Sequence, residues 1–336
     1  MSAALRVVVT DANLLPLRDE LVGLLPAGTE VSWAVGVHAD ELTAALRTAD
    51  VLVGPALTPE MAEAAPGLRL VHVAGAGTDR VDPAALRPGI TVANTFHHEG
   101  SIAEYAVWAA IDLRRDLRLA DAALREGRWR SSVYDRGLPQ VQTLGAARVG
   151  FVGFGHIGSA CWQAMSAFGA SGRAVTGSGR VDAEAAGLDW AGTTDELPRL
   201  LAESDVVVVS VPLDDRTRGM IGARELGLLG PGGVLVNVAR GPVVEEQALY
   251  DALRAGTIHG AAVDVWYSYP GPDGHARPAA LPFHELENVL MTPHLSGVTR
   301  QTFLGRVQDI AANITHLAEG RALERVVAPQ PQEASA

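Results

Sequence analysis

The sequence predicts an α/β fold built of two doubly wound parallel sheets. Short runs rich in Val, Leu and Ile alternate with Ala- and Leu-rich helical stretches along the 336 residues, which is the pattern of βαβ units. The apolar runs show no polar alternation, as expected of strands that helices cover on both faces. Residues 49–53 also resemble residues 204–208, which two related sheets would explain and chance could also produce.

Nine strands are predicted from the apolar runs, and the chain length fits about two domains. The predicted strands cover residues 5–10, 51–54, 68–73, 148–153, 173–176, 205–211, 233–238, 260–265 and 289–292.

The longest helical stretch runs from Ser101 to about Arg128 and separates the two halves of the chain. Ser101 and Glu104 have the spacing of a capping box, which predicts that the helix begins there. At the other end of the chain, residues 329–336 have nothing to bury and are predicted to be disordered.

Composition excludes several classes of chemistry. The 27 basic residues are all arginine, so the chain offers no lysine for a Schiff base or for a P-loop. A net charge of −12 argues against a nucleic-acid partner. The one cysteine, Cys161, fits a reducing cytoplasm. The absence of a signal peptide and of a long apolar run predicts a soluble cytoplasmic protein with no membrane partner.

A glycine motif follows the predicted strand of residues 148–153. It reads Gly153-Phe154-Gly155-His156-Ile157-Gly158 and is followed by an Ala-rich helix. The first glycine permits a tight turn, the second lets the backbone approach a pyrophosphate, and the third lets helix and strand pack closely. The helix N-terminus would offer its N–H groups to the phosphates. The strand–turn–helix context therefore predicts a Rossmann-type dinucleotide site, with His156 and Ile157 among its residues.

The end of the next strand bears on which dinucleotide binds. An NAD-type ribose clamp needs an acidic residue there, but no carboxylate precedes Asp182. Ser178 and Arg180 suit a 2′-phosphate, so NADP(H) is favoured over NAD(H). The alternative is that Arg180 is a solvated loop residue and that Asp182 binds the ribose.

Three further segments complete a recognisable set. They are Val211-Pro212-Leu213 with Thr217, Asn237-Val238-Ala239-Arg240-Gly241, and Asp264-Val265-Trp266 followed by Thr292-Pro293-His294-Leu295-Ser296-Gly297. With the glycine motif they resemble, in order, spacing and type, the D-isomer specific 2-hydroxyacid dehydrogenase family over residues 51–299. The resemblance is to its glyoxylate and hydroxypyruvate reductases, with wording like that of formate dehydrogenase around His294.

The resemblance implies a Rossmann NAD(P)-binding domain, residues 98–298, inserted in a flavodoxin-like substrate domain. Residues 1–97 and 299–328 would form that substrate domain. Relatives are usually homodimers through the coenzyme domain, which would place Trp108 on a subunit surface. Burial of Trp108 within its own domain is the alternative.

Reduction of a 2-keto acid needs a cation beside the carbonyl and an acid for the forming alkoxide. By resemblance, Arg240 binds and polarises the substrate, and His294 is the acid/base. The resemblance also assigns the substrate carboxylate to the loop of Gly75, Ala76 and Gly77. It further adds Pro212, Thr217, Ala239, Asp264 and Gly297 to the coenzyme site. No metal site is predicted.

The sequence departs from the family at two places. Tyr269 stands where most relatives have the glutamate that orients the histidine, so His294 should hold its proton less strongly. His98 stands where the formate dehydrogenases have an asparagine, which argues against formate as substrate. One hypothesis is that His98 or Glu99 enters the active site and partly replaces the glutamate; the alternative is a solvated hinge.

The predicted function is that of an NAD(P)H-dependent oxidoreductase interconverting a small anionic 2-keto acid and its D-2-hydroxy acid. Two alternatives remain open. One is a non-catalytic dinucleotide-sensing protein, for which Tyr269 gives some support. The other is a dehydrogenase of another small oxyanion.

Overall fold

A computed structural model of the protein describes residues 4–271 and 273–327, so the tail predicted at 329–336 lies outside the described residues. The chain divides into two compact units, one of residues 1–97 and 299–336 and the other of residues 98–298. The assignment of these units to substrate and coenzyme remains a prediction.

The strands are β1 (Arg6–Val9), β2 (Glu30–Trp33), β3 (Val51–Val53), β4 (Leu70–His72), β5 (Thr91–Ala93), β6 (Arg148–Val152), β7 (Ser171–Thr176), β8 (Trp190–Thr193), β9 (Val206–Val209), β10 (Val234–Asn237), β11 (Gly260–Val263) and β12 (Val289–Met291). The helices are α1 (Arg18–Leu24), α2 (Ala39–Leu46), α3 (Pro59–Ala64), α4 (Glu99–Arg115), α5 (Leu117–Arg125), α6 (His156–Ser166), α7 (Ala183–Ala186), α8 (Leu197–Ala202), α9 (Ala223–Leu229), α10 (Glu246–Ala255) and α11 (Arg300–Glu319).

The first unit is built on a parallel sheet with strand order β2-β1-β3-β4-β5. Successive residues of β1 point to opposite faces. Val7 and Val9 pack with buried side chains of α1 and α11, whereas Val8 packs with those of α2 and α3. From Val7 to Val9 the strand is therefore apolar because helices cover both of its faces.

The second unit is built on a parallel sheet with strand order β12-β11-β10-β9-β6-β7-β8. Val207 and Val209 of β9 belong to the core formed with α8, α9 and α10. Val206 and Val208 belong to the core on the other face, formed with α4 and α6. Two doubly wound parallel sheets were predicted from the sequence, and this fold class is confirmed.

Three strands were not predicted, namely β2, β5 and β8, and each lies at an edge of its sheet. β2 alternates exposed and half-buried residues, and no residue of β8 is buried. Such strands lack the continuous apolar run that marks a strand buried on both faces. The central strands were recognisable by that run.

The prediction of one helix beginning at a Ser101 capping box was wrong. Helix α4 begins at Glu99, and the Ser101 hydroxyl lies in its first turn, donating to the carbonyl of His98 at 3.1 Å. The helix ends at Arg115, and its C-cap Asp116 has a φ of +51° that breaks the α-helical path before α5 starts. The alternative of a buried Trp108 is also wrong, because 45% of its surface is exposed.

Neither a membrane-spanning helix nor a metal-binding cluster is found among the described residues. Among their helices, none combines the length and apolar character needed to span a bilayer. They also contain no group of three or more His, Cys, Asp or Glu side chains that could hold a metal ion.

His72, at the end of β4, is wholly buried in the first unit and hydrogen-bonded on both ring nitrogens. The Asn313 amide nitrogen lies 3.1 Å from His72 Nε2 and also donates to the Glu324 carbonyl. An amide NH₂ only donates, so Nε2 accepts, and Nδ1 carries the hydrogen that faces the Val73 carbonyl at 3.3 Å. This arrangement satisfies both nitrogens of a neutral imidazole. A charged imidazole would set a second N–H against the Asn313 amide, so the arrangement disfavours protonation.

We expect acid to destabilise this unit through His72. Burial lowers the pKa of His72 from 6.5 to about 4, so between these values the unfolded chain binds the extra proton. The contribution of neutral His72 to the free energy of unfolding is therefore fully present above pH 6.5. It is lost as the pH falls towards 4, and the loss reaches up to about 3 kcal/mol. Urea unfolding from pH 7.5 to 4.5 measures this loss.

The matched variants are His72→Gln, which removes the titrating group, and His38→Gln, which alters an exposed histidine. The first should flatten the pH dependence and the second should leave it unchanged. Equal slopes in the wild type and His72→Gln would contradict the assignment.

Candidate active site

The predicted site residues of the second unit follow the carboxyl ends of its parallel strands. The glycine motif follows β6, Arg180 follows β7, Pro212 follows β9, Arg240 follows β10, Asp264 follows β11 and His294 follows β12. Because the strands are parallel, these ends share one edge of the sheet, which is where doubly wound folds bind ligands.

The glycine motif forms a turn between β6 and α6. Gly153 has a φ of +95°, which side chains rarely tolerate. A β-carbon on Gly158 would collide with the Gly153 carbonyl oxygen, whereas one on Gly155 would meet no atom within 4 Å. Gly155 thus lies next to open space at the N-terminus of α6, where a phosphate would find backbone N–H groups. His156 is exposed and Ile157 is partly buried beside it.

The loop after β7 carries an arginine, Arg180, that is not paired with a carboxylate among the described residues. Ser178 and Arg180 are both exposed, and within residues 4–271 and 273–327 the Arg180 guanidinium has no hydrogen bond or ion pair. The Asp182 carboxylate instead caps α7 by accepting the Ala185 N–H at 3.0 Å. The cation rather than the carboxylate is therefore free to meet a ligand.

The loop after β9 is held together by Thr217. Its hydroxyl donates to the Pro212 carbonyl at 2.7 Å and accepts the Asp214 N–H at 2.8 Å. Thr217 is buried, so these bonds fix the shape of the loop that carries Pro212.

The loop after β10 is fixed by Asn237, which the sequence did not single out as a site residue. Its buried side chain accepts the Ala239 N–H at 3.1 Å and donates to the Arg240 carbonyl at 3.2 Å. Arg240 is exposed, and its guanidinium donates to the Ala239 carbonyl at 2.8 Å. A β-carbon on Gly241 would collide with the Trp266 carbonyl, so this loop packs directly on the segment after β11.

Asp264 anchors the segment that carries His294. Its carboxylate is wholly buried and accepts three hydrogen bonds, from the Thr292 hydroxyl at 2.6 Å, the Leu295 N–H at 2.9 Å and the Ser296 N–H at 3.0 Å. The Trp266 indole donates to the Thr292 carbonyl at 2.8 Å. Between these anchors, His294 takes a φ of +56°, which is uncommon outside glycine.

The His294 imidazole is bonded to Tyr269. Nδ1 lies 3.1 Å from the Tyr269 hydroxyl, and the hydroxyl oxygen also accepts the Trp266 N–H at 3.2 Å. In the parts of the chain that the structure describes, this is the only hydrogen bond of the ring. The phenol of Tyr269 thus hydrogen-bonds to the imidazole from the sequence position at which most relatives in the resembled family have a glutamate.

The surroundings of His294 disfavour its charged form. Desolvation by neighbouring protein atoms lowers the pKa of His294, Asp264 raises it, and the Arg240 charge lowers it, with a net lowering from the ordinary value. Arg240 is therefore close enough to influence the imidazole electrostatically. The direction agrees with the expectation that a histidine without its carboxylate holds a proton less strongly.

His98 and Glu99 lie at the start of α4, close to the segment that carries His294. A β-carbon on Gly297 would come within 3.2 Å of His98 Cβ. One carboxylate oxygen of Glu99 is buried without a hydrogen-bond partner among the described residues. The hydrogen bond to the His294 ring, however, comes from Tyr269 and not from either of these residues.

The loop of Gly75, Ala76 and Gly77 lies in the first unit. The Gly75 carbonyl accepts the Thr95 N–H at 3.1 Å, and the Ala76 carbonyl accepts the Asn94 amide at 2.8 Å. In a trans peptide the next N–H points away from the carbonyl, so the N–H groups of Ala76 and Gly77 point away from Thr95 and Asn94. Among the described residues neither N–H has a protein acceptor. Asn94, which fixes this geometry, was not predicted.

Comparison with known proteins identifies the family. Residues 107–296 match the family model described as D-isomer specific 2-hydroxyacid dehydrogenase, NAD binding domain. The chain belongs to the D-isomer specific 2-hydroxyacid dehydrogenase family. The resemblance seen in the sequence motifs is thereby confirmed.

Members of this 2-hydroxyacid dehydrogenase family are similar over most of the chain. D-3-phosphoglycerate dehydrogenase of Methanocaldococcus jannaschii is 30% identical over 96% of this chain and 59% of its own length. Glyoxylate reductase of Korarchaeum cryptofilum is 32% identical over 82% of this chain and 81% of its own. This chain thus spans a little over half the length of the phosphoglycerate dehydrogenases that it matches.

A solved structure of the family gives the same comparison in three dimensions. The D-isomer specific 2-hydroxyacid dehydrogenase of Xanthobacter autotrophicus Py2, crystallised with NADPH and MES, is 28% identical with a TM-score of 0.76. The match covers 98% of this chain and 99% of that one.

We expect Asp264→Asn to loosen the His294 segment of this dehydrogenase-family fold. An asparagine would set an NH₂ group against one of the donors and would remove the charge that strengthens all three bonds. The free energy of unfolding should fall by about 3 kcal/mol, the usual cost of leaving buried donors to a charged group unsatisfied. Urea unfolding measures this loss.

The pKa of His294 should also fall further in this variant, because Asp264 raises it. An NMR titration of the ring follows that change. Asp215→Asn, at an exposed carboxylate, is the matched control and should alter neither quantity. A variant as stable as the wild type would show that Asp264 does not anchor the segment.

Proposed function

We propose that this protein is an NAD(P)H-dependent oxidoreductase that interconverts a small anionic 2-keto acid and its D-2-hydroxy acid. The observation that carries the proposal is that Arg240 and His294 follow the carboxyl ends of β10 and β12, which lie on either side of β11 in one parallel sheet. An exposed guanidinium and an imidazole held by Tyr269 supply the cation and the acid/base that such a reaction needs.

Two side chains of this protein would have separate roles in the reduction. Arg240 would grip and polarise the 2-keto acid, because its planar fork can meet a carboxylate and a carbonyl oxygen together. His294 would give a proton to the oxygen as it becomes an alkoxide. The nicotinamide coenzyme supplies the hydride.

The fit of a dinucleotide rests on the glycine motif. The open space beside Gly155 and the N-terminus of α6 offer room and N–H donors to a pyrophosphate. Asp264, Ala239, Pro212, Thr217 and Gly297 would shape the remainder of the site, chiefly by fixing the loops described above.

We also propose that the N–H groups of Ala76 and Gly77 bind a carboxylate. They are two unpaired donors side by side, which is the simplest backbone arrangement for an oxyanion. Asn94 would be the positioning residue, since its amide holds the Ala76 carbonyl on the opposite side.

We favour NADP(H) over NAD(H) as coenzyme. Arg180 is exposed and unpaired among the described residues, Ser178 beside it is small, and Asp182 is engaged as a helix cap. A free guanidinium favours a 2′-phosphate, whereas a ribose hydroxyl calls for a free carboxylate. NADPH is also the coenzyme present in the Xanthobacter structure.

We further propose that the protein is a homodimer through the second unit. Large apolar side chains are exposed there at Trp108, Trp129, Val133 and Phe168. Burial of such a surface against a second copy would remove it from water.

Initial rates of NADPH and NADH oxidation with glyoxylate, hydroxypyruvate, pyruvate and phenylpyruvate test the proposed reaction. Arg240→Gln should lower kcat/KM about 100-fold or more, because it removes the cation beside the developing charge. His294→Gln should lower kcat by a similar factor through loss of the acid/base. Arg254→Gln, at an exposed arginine of α10, is the control that should retain the wild-type rate.

Nucleotide binding without oxidation by any keto acid would contradict the proposal. That result would favour a dinucleotide-sensing protein.

Arg180→Ala tests the choice of coenzyme. It should lower kcat/KM for NADPH about 30-fold, equivalent to roughly 2 kcal/mol for lost charge-assisted bonds, and leave that for NADH nearly unchanged. Arg224→Ala, at another exposed arginine, should leave the NADPH-to-NADH ratio alone. If Arg180→Ala also leaves it alone, the preference for NADP(H) does not come from this residue.

A further inference from the structure

Two contacts of the Tyr269 hydroxyl bear on the direction of its hydrogen. The oxygen accepts the Trp266 N–H at 3.2 Å, and a backbone N–H can only donate. The other partner within hydrogen-bond distance is His294 Nδ1 at 3.1 Å. A hydroxyl has one hydrogen, so the phenol satisfies both contacts when it donates to Nδ1.

A phenol that donates to Nδ1 sets the tautomer of His294. When Nδ1 accepts, the neutral ring carries its hydrogen on Nε2. The lowered pKa of His294 favours this neutral form near pH 7. A carboxylate in place of the phenol would do the opposite, because it would draw a hydrogen to Nδ1 and stabilise the imidazolium.

A neutral imidazole is a poor acid by itself. Loss of the Nε2 hydrogen would leave an imidazolate unless Nδ1 gains a proton in the same step. The hydroxyl at Nδ1 is the group that can provide it. His294 can then pass a proton through its ring while remaining uncharged.

We propose that Tyr269 is the proton source for keto-acid reduction and acts through His294. The inference rests on the function proposed above. As hydride reaches the carbonyl carbon, the C=O π pair moves to oxygen, an O–H bond forms there, and the Nε2–H bond breaks. The Tyr269 O–H bond breaks as an Nδ1–H bond forms, so one proton is delivered and one phenolate remains.

The phenolate has donors and a route to a new proton. The Trp266 N–H and the new Nδ1–H both point at its oxygen. Tyr269 is 48% exposed, so water can return the proton to the phenolate after product forms. The return of the ring to its Nε2–H tautomer then completes the cycle.

Proton inventories distinguish this relay from a one-proton transfer. The rate of keto-acid reduction is measured at saturating substrate over the full range of D₂O fractions. Two protons in flight should make the wild-type plot curve below a straight line, whereas Tyr269→Phe should give a straight line and a kcat lower by about 100-fold with KM little changed. Tyr134→Phe, at an exposed tyrosine, should keep both the rate and the curvature.

A ¹⁵N NMR measurement separates failure of the relay from failure of the proposed function, because it needs no turnover. The wild-type His294 ring should show the Nε2–H tautomer with Nδ1 accepting a hydrogen bond, and Tyr269→Phe should lose the ¹⁵N shift that marks this accepted bond. A wild-type Nδ1–H tautomer, a straight wild-type inventory or curvature that persists in Tyr269→Phe would each overturn the relay. A correct tautomer in a protein that reduces no keto acid would overturn the proposed function and the relay with it.

Discussion

The buried carboxylate of Asp264 is the interaction on which the rest of the site depends. It lies at the carboxyl end of β11 and receives three donors from the segment after β12. A carboxylate withdrawn from water must have donors, and here they come from one short stretch of neighbouring chain. The stretch is therefore forced to fold around the carboxylate, and His294 is held in a backbone conformation that it would not adopt freely.

The partner of His294 determines the kind of acid that it can be. A carboxylate at Nδ1 stabilises a second proton on the ring, and the imidazolium then donates directly. A phenol carries no negative charge to stabilise an imidazolium, so the ring stays neutral. Nδ1 must therefore gain a proton as Nε2 donates one. The Asp264 charge acts on the same ring from behind the segment, but desolvation and Arg240 outweigh it.

Features encoded in consecutive residues could be predicted from the sequence, whereas features that depend on tertiary packing were missed. Buried central strands and the glycine turn are written in consecutive residues, and both were predicted. Edge strands such as β8 lack a continuous apolar run and were missed. The Ser101 cap was wrong because the same spacing can occur one turn inside a helix.

The same contrast holds for the residues of the candidate site. Arg240 and His294 belong to contiguous motifs and could be singled out. Tyr269 was placed beside His294 only through the family resemblance, and the bond of Asn94 to Ala76, 18 positions apart across loops whose paths are set by packing, was missed. No periodicity or spacing in the sequence records such contacts.

The absence of lysine limits how this protein can hold an anion. Its cations are arginines, and many of them are already paired with carboxylates, as Arg148 is with Asp205 and Arg118 with Asp112. Among the described residues, Arg180 and Arg240 have no carboxylate partner. With a net charge of −12, the protein as a whole repels anions, so attraction must be short-ranged. Unpaired guanidinium groups at strand ends, helped by backbone N–H groups, can provide that attraction where a ligand would sit.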